Sequence, residues 1–121
     1  MQLETEDRGD DLLVVVAADR IDAMVAVQFK DAMRQATDGG PRRVVLDLSR
    51  VGFLDSSGLG ALVAAMKALG PGRQLHLLAP TPAVDKVFRL TRMNTVFAIH
   101  PDEAAAFGDR ARGDGAIADA S

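Results

Sequence analysis

The sequence predicts an α/β fold: a single domain in which a mixed, mostly parallel sheet of four to five strands packs with about four helices. Three observations carry that expectation. The runs "LLVVVAA" (12–18), "VVLDL" (44–48) and "QLHLLA" (74–79) lack the strict polar alternation of a half-solvated strand and read as strands buried on both faces. Between them lie stretches whose apolar residues recur at spacings of three and four, the period of an amphipathic helix. Glycine–proline clusters, "DGGP" (38–41) and "GPG" (70–72), stand where helix must give way to strand. Strands that alternate with helices pair in parallel, because each crossover returns the chain to the same end of the sheet.

The elements follow in order. "QLETED" (2–7) reads as an edge strand and Arg8 to Asp11 as a turn into the first buried strand. A helix is expected from Asp22 to about Thr37, with Val25, Ala26, Phe29, Met33 and Ala36 inward. After the "VVLDL" strand, a helix over 57–69 carries Leu59, Leu62, Val63, Met66 and Leu69 on one stripe. In the stretch 80–92, Thr81 is a natural N-cap and Pro82 a natural first helical residue. "TVFAI" (95–99) is expected as the last strand and "PDEAAAFGDR" (101–110) as a final short helix. The domain is taken as residues 1–107, with 108–121 a disordered tail whose Arg112-Gly113-Asp114 triplet is a chance match.

Composition removes several classes of function. A chain of 121 residues has the length of one domain. A net charge of −3 without a basic block argues against direct nucleic-acid binding, and five Phe with no Trp or Tyr offer little for base stacking. The absence of cysteine excludes disulfides and thiolate metal sites. The longest apolar run falls far short of the roughly 20 residues of a membrane helix, so no membrane insertion is expected. The opening "MQLETEDRGDD" is acidic where a secretory signal is basic and then apolar; a cytoplasmic location is expected. Oligomeric state leaves no mark in the sequence.

The junction "FLDSSGLG" (53–60) asks for an explanation. Aspartate and serine are strong N-caps because their oxygens accept the orphan amide protons of a first helical turn. Capping needs one such residue, and here Asp55, Ser56 and Ser57 stand together. Gly58 and Gly60 follow, although glycine weakens a helix by roughly 1 kcal/mol relative to alanine. Small residues let another group approach the backbone closely. Opposite the leucine stripe of this helix lie Ala61, Ala64, Ala65 and Ala68. That face is either the product of alanine's helix propensity or a flat surface on which a partner's side chains lie. On the first helix, Met24 and Val27 fall off the inward stripe near its start, and would border the same patch if the two helix starts are neighbours.

Catalytic readings of the junction find no support. Neither serine has the G-x-S-x-G context of a nucleophile elbow, and the two histidines, His76 in mid-strand and His100 at a strand end, read as packing or surface residues. Asp22, Asp47 and Asp55 at strand ends are more simply turn and cap residues than an acid–base pair. "GLG" is no phosphate cradle, no spacing suggests a metal, and no cofactor is expected.

The stretch "VVLDLSRVGFLDSSGLGALVAAMKALG" (44–70) resembles the central signature of STAS domains, in particular the bacterial anti-sigma factor antagonists. The likeness extends over roughly residues 2–107, through "RID" (20–22), "PTPAVDKVFRLTRM" (80–93) and "TVFAIHPDEAAAF" (95–107). It implies a regulatory protein rather than an enzyme. In that family the unphosphorylated protein binds an anti-sigma factor that is itself a serine kinase. Phosphorylation of the first serine of the aspartate–serine–serine–glycine motif, Ser56 here, ends the binding, and a serine phosphatase resets it. The resemblance places Asp22 beside the phosphosite and Asp55, Ser57 and Gly58 in the partner-binding loop; Met24, Val27, Gly60, Ala61 and Ala64 would extend that surface. Asp19 stands where the family usually has glycine, adding a negative charge near the loop. Two other readings share the sequence: a constitutive interaction subunit of a stressosome, transporter or lipid-transport complex, in which Ser56 only caps, and a small hydrolase or nucleotide-binding enzyme using Ser56 or Ser57.

Overall fold

A computed structural model describes residues 1–111 of the chain. Strand β1 (Leu3–Arg8) turns through Gly9 and Asp10 into β2 (Asp11–Val16). Beyond a two-residue strand β3 (Arg20–Ile21) comes helix α1 (Ala26–Thr37). Strand β4 (Arg43–Asp47), a second two-residue strand β5 (Phe53–Leu54) and helix α2 (Ser56–Leu69) follow. The chain continues through β6 (Gln74–Leu78), α3 (Pro82–Leu90), one 3-10 turn at Met93–Thr95, β7 (Ala98–His100) and α4 (Glu103–Ala111).

The main sheet has five strands in the order β1-β2-β4-β6-β7. The β1–β2 hairpin is antiparallel, and every other pair in it is parallel. Among the described residues the architecture is thus a mixed, mostly parallel sheet with four helices. The apolar runs fill the middle: Val14, Val16, Val44, Leu46 and Leu77 are fully buried in one core with Phe29 and Met33 of α1, Leu62 of α2 and Phe88 of α3. A smaller cluster, Leu13, Val45 and Leu78 with Ala106 and Phe107 of α4, lies on the opposite face. Strands pressed between helices on both sides have no solvated face, which is why their sequences do not alternate.

Several boundaries differ from expectation for local reasons. Helix α1 begins at Ala26 rather than Asp22, since one carboxylate oxygen of Asp22 accepts from the Met24 amide at 3.1 Å and holds 22–25 in a turn. The last strand is Ala98–His100, because residues 93–95 wind into the 3-10 turn after Arg92 takes a left-handed conformation. Helix α4 runs to Ala111, past the expected boundary at 107, across a break at Gly108 (φ 35°, ψ −119°). The expected disorder and the Arg112-Gly113-Asp114 triplet at 112–121 lie outside the described residues. At the end of α2, Gly70 takes φ 85°, a left-handed turn that glycine enters without steric cost.

The largest revision concerns α2. Its buried residues are Gly58, Ala61, Leu62, Ala65 and Leu69, while Leu59, Val63 and Met66 are only partly buried. Ala61 and Ala65 therefore belong to the packed side. Ala64, Ala65 and Ala68 line a cleft with Lys30, Met33, Arg34 and Thr37 of α1, Ala65 buried, Ala64 half-buried and Ala68 exposed at its rim. Methyl side chains let two helix backbones approach closely; leucines there would hold α1 away.

Candidate functional site

Helices α1 and α2 both start beyond the C-terminal ends of β2 and β4, which are neighbours in the sheet. In open α/β sheets this edge is where binding sites form. The two connections are tied together: β3 and β5 pair in parallel, Arg20 opposite Phe53 and Ile21 opposite Leu54, and the Gly52 amide donates to the Asp19 carbonyl at 2.8 Å. Asp19 meets this need with its backbone oxygen and at a negative φ, so its place requires no glycine.

Asp55 joins the two helix starts. Its Oδ1 accepts from the Gly58 amide at 2.8 Å and caps α2, and its Oδ2 accepts from the Ala23 amide at 3.3 Å in the turn before α1. Asp22, 8% exposed, lies beneath: its Oδ1 accepts from the Met24 amide and its Oδ2 from Arg20 Nη1 at 3.2 Å. The Arg20 guanidinium also stands 5.5 Å from the centre of the Phe53 ring, a cation–π arrangement. Both carboxylates serve as acceptors in turns and caps, and Asp47 does the same for the Ser49 amide at 2.8 Å.

With the cap supplied by Asp55, neither serine is needed for it. Ser56 and Ser57 are the first two residues of α2, and both are exposed. Around them Met24 is 84%, Val27 64% and Phe53 47% exposed, and Gly60 is open to solvent. Two residues expected in the partner surface are not on it. Ala61, 3% exposed, packs into the core. Gly58 is buried, and a Cβ there would fall on the Ile21 carbonyl oxygen and 2.7 Å from Leu54 Cδ1. Its glycine is required by the passage of α2 across β3, not by a visitor. Ala64 is half-buried beside α1.

Sequence reasoning passed over Arg20 and Phe53. Their signal is weak: in a strand of two residues, one outward Phe53 and one inward Leu54 is all the alternation there is. The histidines are not at this site. His76 and His100 stack with ring centroids 5.1 Å apart, and His76 lies beside Arg43 Nη1 at 3.2 Å, on the sheet face that α4 covers.

Fold and site together define a small α/β domain that displays a serine-bearing helix start among exposed apolar side chains, over a base of engaged carboxylates. The chain belongs to the STAS family, whose description, STAS domain, matches residues 2–106. It is 29% identical over 114 residues, 92% of this chain and 98% of the relative, to an anti-sigma-B factor antagonist of Listeria monocytogenes. Among solved structures, an anti-sigma factor antagonist from Mycobacterium paratuberculosis superposes with TM-score 0.73 at 30% identity, covering 83% of this chain and 85% of that one. The anti-sigma factor antagonist SpoIIAA in its unphosphorylated form is 26% identical with TM-score 0.67, covering 93% of this chain and 97% of that one. SpoIIAA of Bacillus in its phosphorylated form gives TM-score 0.62, also at 26% identity, covering 92% and 98%. Among the described residues no helix is long and apolar enough to cross a membrane.

Proposed function

We propose that the protein is an anti-sigma factor antagonist that works as a phosphorylation-gated docking module in the cytoplasm. With Ser56 unmodified, the face made by Met24, Val27, Phe53, Ser57 and Gly60 binds an anti-sigma factor that is also a serine kinase. Phosphate on Ser56 ends the binding, and a serine phosphatase restores it. The protein itself catalyses nothing.

The observation that carries this reading is an exposed Ser56 on a helix whose cap is another residue. A kinase reaches the hydroxyl without unfolding anything, and the capping bond survives modification. The two forms of SpoIIAA show that a relative of this fold exists with and without phosphate. A phosphoserine brings about −1.5 to −2 charge, which a helix N-terminus tolerates. On a face already carrying Asp19 and Asp55, with Asp22 paired to Arg20 beneath it, that charge acts outward, on the partner. A unit charge about 5 Å from a partner carboxylate costs roughly 1–3 kcal/mol for effective dielectrics of 80 to 20. Each 1.4 kcal/mol is about tenfold in affinity, enough to release a micromolar partner.

The test uses the purified protein, ATP and the serine-kinase anti-sigma factor of the same organism. One phosphate should appear on Ser56 and vanish in Ser56→Ala. Ser56→Asp should keep the circular dichroism and melting temperature of the parent while binding the kinase at least tenfold more weakly. Phosphate at another residue, or undiminished binding by Ser56→Asp, refutes the switch and favours a constitutive interaction subunit.

A further inference from the structure

The sheet face under α4 carries a polar chain that the Ser56 site does not use. Arg43 is held from two sides: Nε and Nη2 donate to the two carboxylate oxygens of Asp11 at 3.0 and 2.9 Å, and Nη2 also donates to the Ala106 carbonyl of α4 at 2.7 Å. Its remaining nitrogen, Nη1, lies 3.2 Å from His76 Nδ1, and His100 Nε2 lies 2.9 Å from the same Nδ1. On its other side His76 Nε2 is 3.1 Å from Gln74 Oε1.

The Arg43 contact assigns the tautomer of His76. A guanidinium only donates, so His76 Nδ1 must accept, and the proton of that ring sits on Nε2, where Gln74 Oε1 accepts it. His100 Nε2 then donates to the same Nδ1. A second proton on His76 would turn this acceptor into a donor facing the Arg43 donor and set a cation against Arg43, and His100 Nε2 could accept from it only once its own proton had moved to Nδ1. Asp11, wholly buried, keeps Arg43 where it is, so the histidines are the groups that must move. His100 sits on β7, an edge strand of three residues that leads directly into α4, and its carbonyl accepts from the Ala79 amide at 2.7 Å.

We propose that His76 is the pin of an acid-operated clasp: protonation of its Nδ1 frees β7 and the segment 101–102 that leads into α4, leaving α1, α2 and the Ser56 face in place. The charged groups about the clasp are Asp11 on β2, Arg43 on β4, Arg8 and Glu6 on β1, and Glu103 on α4; Arg8 is occupied by Glu6 and Glu103 at 2.8 and 2.9 Å. Burial, then Arg43, lowers the pKa of both His76 and His100 from the ordinary imidazole value. The folded protein therefore binds fewer protons here than the unfolded chain. The clasp holds fully above about pH 6.5 and weakens as pH falls through that value and on through the lowered folded ones.

Hydrogen exchange of the full chain at pH 7.5 and 5.0, corrected for intrinsic rates, tests this. The amides of Ala79 and Ala106 should exchange about tenfold faster at pH 5.0, the scale of one or two net hydrogen bonds, while those of α2 hold their protection. His76→Gln keeps an acceptor but no titration, and should abolish the acid response. In the unaltered protein, an NMR titration should show His76 protonating below the ordinary imidazole range. Protection equal at both pH values, loss spread evenly over the chain, an acid response surviving in His76→Gln, or a normal His76 titration would each overturn the clasp.

Discussion

Two glycines in α2 offer a matched experiment on what shapes the site. At Gly58 a methyl group would fall on the Ile21 carbonyl oxygen and 2.7 Å from Leu54 Cδ1. The leucine terminus can rotate away. The carbonyl cannot, because Ile21 is paired with Leu54 across the two-residue ladder, so α2 or β3 must shift. Overpacking typically costs about 1–3 kcal/mol, and a backbone obstacle puts Gly58→Ala at or above the top of that range. Alanine's better helix propensity returns about 1 kcal/mol, leaving a net loss of about 2–3 kcal/mol. At Gly60, two residues along, a Cβ meets nothing within 4 Å and φ is not positive. There alanine should stabilise by about 0.4–1 kcal/mol. With an unfolding entropy of about 2.1 cal/mol/K per residue, 121 residues give roughly 4 °C per kcal/mol, so Gly58→Ala should melt roughly 8–12 °C lower than the parent and Gly60→Ala about 2–4 °C higher. Thermal unfolding followed by circular dichroism reads both. A Gly58→Ala protein melting within 2–3 °C (~0.5 kcal/mol) of the parent would refute the claim that this glycine is required by the crossing of α2 over β3.

Asp55→Ala removes the cap on Gly58 and the bond to the Ala23 amide, and should cost about 1.5–2 kcal/mol in urea unfolding. Asp55→Asn retains an acceptor for the cap and should lose less than half of that; equal losses would show that charge rather than capping decides. Asp11→Ala leaves Arg43 part-buried without its carboxylate and should cost about 3–5 kcal/mol, measured by the same method. A loss under 1 kcal/mol would mean that water replaces the pair.

What the sequence disclosed follows from the range over which each signal acts. The strands "LLVVVAA", "VVLDL" and "QLHLLA" were legible because burial on two faces leaves no room for polar alternation, and Thr81 with Pro82 marked α3 because caps act within one turn. The serine junction was legible as a motif. The side it presents was not: whether Ala61 faces a partner or the core depends on how the helix is set against its neighbours, which no local pattern encodes. Strands β3 and β5 were missed because two residues carry no period, and Phe53 and Arg20 were missed with them. The pairing of His76 with His100 needed the parallel register of β6 and β7, a long-range fact.

The bracket that precedes the serine consists of two residue pairs outside the five-stranded sheet, with Ile21 and Leu54 turned into the core and Arg20 and Phe53 turned outward. Changes at positions 19, 20, 24, 27 or 53 therefore reshape the proposed docking face without re-registering any core strand. A lineage could duplicate this domain and retarget each copy by drift at a handful of outer positions, keeping one interior for many addressees.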